Sequence, residues 1–463
     1  MQKMKKLSAL ALLGAVTVSS TATAQASSSE AGIQIPLVQV NESGFGDTAN
    51  TSTRLVRMTP EIGAEESALY AITTNVNGIQ LWKSTKKVAR EWEQVSSTAL
   101  TQDATNVSVV DVSLMDEKLY VLVNAEDGFE VWQWSEENDW VNVYEQHGSN
   151  TLASMMKKAD GKLYVASYST LSDFAHMYVT ADGSTWDVFG EVGLAADVGM
   201  VTDVAQFKGD MYAVTDDGRV FRSQDDGPTF VLAYTSSVDN ASFLVTRKQN
   251  GVLYFGGSSA SGALLMATSN GADFTTVTQD GFGNSENTAV TQIKQKGGRV
   301  HAYMQNGSGF EMYRMTNPRD NSSWDLWIDA GATDADNTEV TDVVSYRGHR
   351  YFATQNSVDG TQVGLHQLRA PRVQITSPEK GSAHAVGEIT FTGTAQPGNR
   401  VDLRQDDETL GTTIADENGE WSMTITVTEA GTERFRVYAQ YLDDEGNPMG
   451  RLSHSRAISI SIQ

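Results

Sequence analysis

Val290-Thr291-Gln292-Ile293-Lys294-Gln295, then Val300-His301-Ala302-Tyr303-Met304, then Phe310-Glu311-Met312-Tyr313-Arg314-Met315, and finally Trp324-Asp325-Leu326-Trp327-Ile328 are four short runs in which apolar and polar residues alternate. The breaks between them carry turn formers, as in Asn306-Gly307-Ser308-Gly309. A period of two bounded by Gly and Asn is the pattern of half-buried strands, and tight turns make neighbours antiparallel. Four antiparallel strands in about 48 residues are the unit from which the rest of the chain is read.

Outward from this stretch the unit recurs. An apolar-aromatic pair that opens a second strand stands at Leu69-Tyr70, Leu119-Tyr120, Leu163-Tyr164, Met211-Tyr212, Leu253-Tyr254, the weaker Val300-His301, and Tyr351-Phe352. The spacing is 42 to 51 residues. Four-stranded units at such a period are the blades of a β-propeller. Seven fill the chain between residues 37 and 370. The seventh, from Val340 to Leu368, has only three strands of its own, and a spare strand lies at the other end of the chain. Leu37-Val38-Gln39-Val40 leads into Ser43-Gly44-Phe45-Gly46-Asp47 and Asn50, as the fifth blade's last strand leads into Asp280-Gly281-Phe282-Gly283-Asn284 and Asn287. Residues 35–41 are therefore expected to pair as the outer strand of the seventh blade, since an open ring exposes unpaired edges.

Composition restricts what such a protein does. Of 463 residues, 34 are Lys or Arg and 58 are Asp or Glu, for a formal charge of −24. That charge argues against nucleic acid and against anionic membrane surfaces as partners. There is no Cys, which excludes disulfides, thiolate metal sites and a Cys nucleophile. Lys3, Lys5 and Lys6 precede an apolar run from Leu7 to Val18 and the small-x-small site Ala24-Gln25-Ala26. This reads as a secretory signal over residues 1–26, cleaved after Ala26, because a bilayer core needs about 20 apolar residues. Residues 27–34 read as a linker and 35–370 as the propeller. The mature protein is expected to be secreted or periplasmic, with no membrane insertion.

Two recurring residue sets are expected to be structural. Asn opens blades at Asn50, Asn106, Asn150, Asn240, Asn287 and Asn337, where its side chain suits tight turns. Fourth strands carry Trp92, Trp140, Trp186, Phe230, Phe274 and Trp324, and third strands Trp82, Trp132, Tyr178, Phe221 and Tyr313. Repetition in nearly every blade is what packing between blades requires. Trp134 and Trp327 fall outside the repeat and are expected to be exposed.

Ser223-Gln224-Asp225-Asp226-Gly227-Pro228-Thr229-Phe230 resembles the Asp-box (BNR-type) hairpin, as does Thr180-Ala181-Asp182-Gly183-Ser184-Thr185-Trp186 with one residue fewer, and Ser269-Asn270-Gly271-Ala272-Asp273-Phe274 in degenerate form. The resemblance implies a structural turn found in sialidases and in many non-enzymatic propellers, and so says little about chemistry. The sialidases' arginine triad is not evident: Arg54, Arg57, Arg219, Arg222, Arg247, Arg314 and Arg347 share no blade position in this reading.

After Pro371 the pattern changes. Short alternating runs, among them Val373–Thr376, Ile389–Thr392, Val401–Leu403, Met423–Val427, Phe435–Ala439 and Ile458–Ile462, suggest about seven strands of a β-sandwich over residues 371–463. Gly393-Thr394-Ala395-Gln396-Pro397-Gly398 and Ala415-Asp416-Glu417-Asn418-Gly419-Glu420-Trp421-Ser422 resemble bacterial immunoglobulin-like domains, which implies a spacer or adhesion module. Trp421 is expected to plug the core, and Asp416, Glu417 and Asn418 to form a turn.

No nucleophile elbow, phosphate loop, dinucleotide fingerprint or zinc-binding His-Glu-x-x-His occurs, and the seven histidines stand singly. Asp111, Gln292 and Asp342 lie five residues after a blade-opening Asn, with Asp203 at the corresponding place in its blade. These four are the candidate binding residues, on innermost strands beside the central channel. They would meet a polar ligand or a cation such as calcium, or else hydrogen-bond the channel wall; a first-row metal site assembled in space is also left open. The sequence reading is thus all-β, a seven-bladed propeller closed by an N-terminal strand and followed by an Ig-like β-sandwich. Its function reads as that of an exported, non-enzymatic binding or cell-surface protein, without a required cofactor, whose partner is an extracellular glycan or protein. The alternative is an extracellular carbohydrate-active enzyme, a glycosidase or lyase, with its site at the channel mouth. Oligomeric state is left open.

Overall fold

The computed structural model describes residues 38–463 except 59–66, 76–77, 86–88, 97–107, 149–150, 170, 172–174, 190–197, 225–228, 246–250, 297, 318–319, 330, 333, 348, 367–371, 407, 417 and 443–447. The expected export signal, the linker, Leu37, Asn106, Asn150, Glu417, the boundary at 370–371 and the middle of the hairpin at Ser223 lie outside the described residues.

Seven four-stranded antiparallel units follow one another. The innermost strands are Thr53–Met58, Ser108–Met115, Thr151–Ala159, Val201–Phe207, Asp239–Val245, Asn287–Lys296 and Glu339–Tyr346. Each is followed outward by its second, third and fourth strands. A single backbone bridge from Ser258 to Ala289 links blades 5 and 6. Every innermost strand touches the next, and the first touches the seventh, so the ring is closed. The sixth blade has strands at Asn287–Lys296, Arg299–Asn306, Glu311–Asn317 and Asp320–Ile328, the four runs read from sequence.

Closure is made by the N-terminal strand. Val38 pairs with Leu365 and Gln39 with Gly364 on the third strand of blade 7. The Val40 amide donates to the Val363 carbonyl at 2.8 Å, and the Asn41 Oδ1 accepts from the Val363 amide at 2.6 Å. The link that follows is a tight turn at Ser43–Gly46 in which Gly44 and Phe45 both take positive φ. Its counterpart at Asp280–Gly283 does the same with Gly281 and Phe282. The Asn ending each link ties it down. Asn50 donates to the Gly44 carbonyl at 2.8 Å, Asn287 to the Gly281 carbonyl at 2.9 Å, and Asn337 to the Gly331 carbonyl at 3.3 Å. The three amides also reach Gln80 and Glu311 on the third strand of the following blade, and Gln362 just before it.

Aromatic rings pack the seams between blades. Phe45, from the closing link, lies 5.0 Å from Trp82 and 5.3 Å from Trp92 of blade 1. Tyr144 of blade 2 stacks on Trp186 of blade 3 at 5.1 Å. Phe189 meets Phe230 at 6.1 Å, Tyr234 meets Phe274 at 4.8 Å, and Phe282 meets Tyr313 at 4.9 Å and Trp324 at 5.4 Å. An aromatic ring ending one blade thus wedges against the next blade's own ring, a contact worth about 1 kcal/mol beyond its buried area.

Two expectations about aromatics are corrected. Trp134 is 2% exposed, packed among Tyr70, Leu81 and Leu119. It pairs with Leu119 across the ladder, so its side chain shares that residue's buried face. Trp327 is partly buried against Phe310 and Phe352.

The C-terminal residues form a β-sandwich. One sheet runs Gln374–Ser377, Gly387–Thr394, Glu420–Val427; the other runs Ala383–His384, Ile458–Ile462, Gly431–Leu442, Arg400–Gln405, Glu408–Ile414, with Pro448–His454 beside Gly431–Leu442. Nine strands replace the expected seven, because a hairpin turning at Asp406 and two short edge segments carry weak alternation. Trp421 is buried with Phe391 and Phe435. A Cβ on Gly393 would lie 2.4 Å from the Trp421 ring, so glycine is required there. Asp416 Oδ1 accepts from the Asn418 and Glu420 amides, closing the turn before the Trp421 strand. The sandwich meets the propeller where Arg90 donates to the Leu442 carbonyl at 3.3 Å and the His349 ring lies 6.4 Å from Tyr441.

Candidate functional site

The four residues singled out from sequence occupy one level of the channel wall. In six blades the innermost strand carries a β-bulge, a register shift falling at Val109/Asp111, Ala153/Met155, Val201/Asp203, Asp239/Ser242, Val290/Gln292 and Val340/Asp342. A bulge inserts one residue, leaves ladder groups unpaired and re-aims side chains. The residue after each shift pairs with the same position of the second strand, opposite Leu122, Ala166, Val214, Gly256, Tyr303 and Ala353. Blade 1 has no bulge, and Arg54 takes this level opposite Ile72. The level therefore comprises Arg54, Asp111, Met155, Asp203, Ser242, Gln292 and Asp342.

The carboxylates hold adjacent blades together. Asp111 accepts from its own neighbour's amide, Val112, at 2.9 Å and from Met156 of blade 3 at 3.2 Å. Asp203 accepts from Val204 at 2.7 Å and from Phe243 of blade 5 at 2.7 Å. Asp342 accepts from Val343 at 2.6 Å and from Leu55 of blade 1 at 3.1 Å, across the closing seam. Gln292 donates to the Thr341 carbonyl of blade 7 at 3.1 Å. The bulged residues add hydroxyl bonds in the same direction: Ser154 to the Val201 carbonyl, Thr202 to Ala241, Thr291 to Val340 and Thr341 to Thr53.

Three bases that the sequence reading missed balance three acids. Lys157 reaches both Asp203 oxygens at 2.6 Å. Lys294 lies 3.6 Å from Asp342. Arg54 spans two seams, donating to the Thr341 carbonyl at 2.6 Å and to Val110 at 3.3 Å. Burial pushes the Asp111 carboxyl upward, opposed by Arg54 and its two amide donors. Arg54 escaped notice because blade 1 lacks the extra residue, so it lies four rather than five positions after Asn50. The expectation that arginines share no blade position is also corrected: Arg222 and Arg314 both face the aromatic member of the repeated pair, Tyr212 and His301.

Where the innermost strands of blades 1 to 3 end, a cavity of 340 Å³ is lined by Arg57, Met58, Leu114, Asp116, Glu117 and Lys158, two acids and two bases with no aromatic ring. Among the described residues one acidic group, Asp334, Asp336 and Asp359, brings its oxygens within 4.8 Å of one another. Asp334 is already held there by Asn356 at 2.9 Å and Gln362 at 2.6 Å.

The hairpin at Thr180 has a specific turn. The Thr180 hydroxyl accepts from Gly183 at 2.8 Å, and Asp182 accepts from Ser184 at 2.8 Å and Thr185 at 2.7 Å. These amides hold the Asp182 carboxyl well below the usual range. The turn at 268–274 repeats the pattern, with Thr268 bonding Gly271 at 2.9 Å and Asn270 bonding Ala272 and Asp273. The capping residue there is Thr268, not Ser269 as the sequence suggested, because the motif counts from the residue that ends the third strand.

One seam breaks the repeat. In blade 7 the ladder aligns Tyr351 with Tyr120, so the repeated pair is Arg350-Tyr351, one residue earlier than read from sequence. Arg350 stands where other blades bury Leu69, Leu119, Leu163, Met211, Leu253 and Val300. It is 2% exposed. His366 pairs with it across the ladder. His301 replaces the usual tyrosine in blade 6, opposite Arg314. Trp327, the bulged residue of the fourth strand of blade 6, meets His366 at 5.6 Å, with the Arg314 guanidinium 3.4 Å above its ring. Two of the seven histidines that stand singly in sequence, His301 and His366, are brought together here. Burial, then Arg350, presses His301 down to about 2 and His366 to about 4, so both rings are neutral near pH 7.

No protein-family model matches the chain, and no curated protein matches it. Solved structures similar to it include the BT3049 extracellular domain from B. thetaiotaomicron, 14% identical with a TM-score of 0.45, the match covering 92% of this chain and 57% of that one. YCF48 bound to D1 peptide is 10% identical with a TM-score of 0.49, covering 75% of this chain and 97% of that one. The WD40 beta propeller domain of Doa1 is 12% identical with a TM-score of 0.48, covering 72% and 98%. The chain thus spans little more than half of the BT3049 domain, and the propeller assignment rests on the strand pairing described above.

Proposed function

We propose that this is an exported binding protein, in which a rigid propeller presents a surface to an extracellular glycan or protein partner and the sandwich serves as a docked spacer or adhesion module. The carrying observation is how the channel carboxylates are used. Asp111, Asp203 and Asp342 each accept from the next amide of their own strand and from one amide of the adjoining blade, and Asp203 and Asp342 are also faced by lysines. A glycosidase needs two carboxyl groups free to exchange protons with a sugar, and side chains in these bonds are poorly placed for that work. The same geometry makes a channel calcium site unfavourable, since a cation would have to displace Lys157 and Lys294. The resemblances to Asp-box hairpins and to bacterial Ig-like domains support the reading as fold-level analogy only. No helix among the described residues is long and apolar enough to cross a membrane. The test screens the full chain on a glycan array and on the same glycans for cleavage. Saturable binding without cleavage supports the reading, and turnover of any glycan overturns it. Fractionation of the expressing cells checks export.

A further inference from the structure

The seam between blades 6 and 7 concentrates positive charge in a buried place. The Arg350 guanidinium, 2% exposed, makes its only side-chain hydrogen bond among the described residues to the Tyr303 hydroxyl, at 3.3 Å. Tyr303 itself is fully buried. Among the described residues neither ring nitrogen of His366, 1% exposed, has a partner; the His301 ring bonds the Lys294 carbonyl and leaves its Nδ1 unpartnered. Arg314 borders the group, with the largely exposed Asp325 3.9 Å from it. A buried guanidinium without a carboxylate is costly, and so are buried ring nitrogens without a partner. Substituting the leucine of the other blades would remove that cost, yet here the arginine comes with two histidines.

We propose that this seam is a binding site for a small oxyanion, a carboxylate or phosphate group, held by Arg350 with the Tyr303 hydroxyl and an imidazole N–H of His366. The chemistry fits on each side. A guanidinium presents paired N–H donors that match two oxygens of one anion. A neutral imidazole supplies one N–H donor without a further charge to desolvate. The Trp327 ring and the Arg314 stacked on it wall the group, and the 25% exposure of Arg314 marks the side of approach. This inference is independent of whether the propeller face binds a glycan or a protein.

The test is thermal melting of the full chain in inorganic phosphate, acetate or chloride, titrated from 1 to 50 mM at fixed ionic strength. Occupation of the folded state should raise the melting temperature saturably by at least ~2 °C in phosphate or acetate. Phosphate alone would identify a tetrahedral ligand, acetate alone a planar one. Arg350→Leu should fold, since it restores the residue of the other blades, and should abolish the shift. Tyr303→Phe, which removes only a hydroxyl, should weaken the response several-fold. No saturable shift in either oxyanion, an equal shift in chloride, or a shift that survives Arg350→Leu would overturn the proposal.

Discussion

The seam between blades 5 and 6 and the seam between blades 6 and 7 are built from the same repeat with opposite chemistry. In the first, Phe282 enters from the link and meets Tyr313 and Trp324. In the second, the link carries Ala332 at the matching place, also with positive φ, and no ring enters. The room is used by Trp327, His366 and Arg350. The first seam is what packing requires of every blade. The second keeps the backbone of the repeat while giving up its apolar content. A repeat makes such departures visible, because neighbouring blades show what packing alone would place there.

The largest effect should come from the ordinary seams. Phe45→Ala removes the ring between Trp82 and Trp92 where the circle closes and should cost about 3–5 kcal/mol, read as loss of denaturation midpoint. If the loss is below about 1 kcal/mol, aromatic wedging is not what holds the ring shut. Asp203→Asn leaves Lys157 without its counter-charge and weakens the bond to blade 5, with an expected loss of about 2–4 kcal/mol. Removing a channel ligand would instead leave stability nearly unchanged, so chemical denaturation separates the two roles.

The unusual seam should respond in the other direction. Arg350→Leu in chloride is expected to stabilise the protein by about 1–4 kcal/mol, because a buried charge is exchanged for an apolar side chain. A loss of stability would mean that the arginine has a protein partner essential to the fold. Acid should act here too. His301 and His366 are lowered in the folded state, so they contribute stability above the unfolded value of about 6.5 that is lost as pH falls. The unfolded chain takes up protons first, and each histidine costs on the order of 1.4 kcal/mol per pH unit, down to about pH 4 for His366 and beyond for His301. The groups facing them are Arg350 and Arg314, which resist protonation. Replacing both, as His301→Tyr and His366→Thr, should flatten the melting profile between pH 6.5 and 4, whereas an unchanged slope would assign acid sensitivity to carboxylates elsewhere. The smallest effect belongs to the exposed hairpin: Asp182→Ala should lower the calorimetric melting temperature less than any other substitution above, since its turn amides can turn to water.

Much of the fold was legible without coordinates. The strands of blade 6, the number of blades, the closing strand at Val38–Gln39 and the burial of Trp421 all follow from alternation and repetition, which are local or periodic signals. The candidate site was legible only in part. Asp111, Asp203, Gln292 and Asp342 were placed correctly at one level, but their partners were not. Lys157 and Lys294 sit two positions after that level in blades 3 and 6, and nothing near them in the chain points to an acid in the next blade. Arg350 was passed over because the search was for an apolar residue, and Trp134 was taken for an exposed ring because it fell outside the aromatic rows.

The amino-acid order alone specified the architecture, since period-two alternation, turn residues and a recurring unit act over a few residues and are repeated enough to be unambiguous. Only the folded ring decided what the polar side chains do. Their partners lie roughly one blade away in sequence, or nearly 300 residues away across the closing seam, and a single bulged residue changes which side chain faces the channel. Charge balance, burial and hydrogen-bond partnership are properties of that assembled geometry, and they turn a row of apparent ligands into bolts between blades while bringing scattered histidines and arginines to one seam.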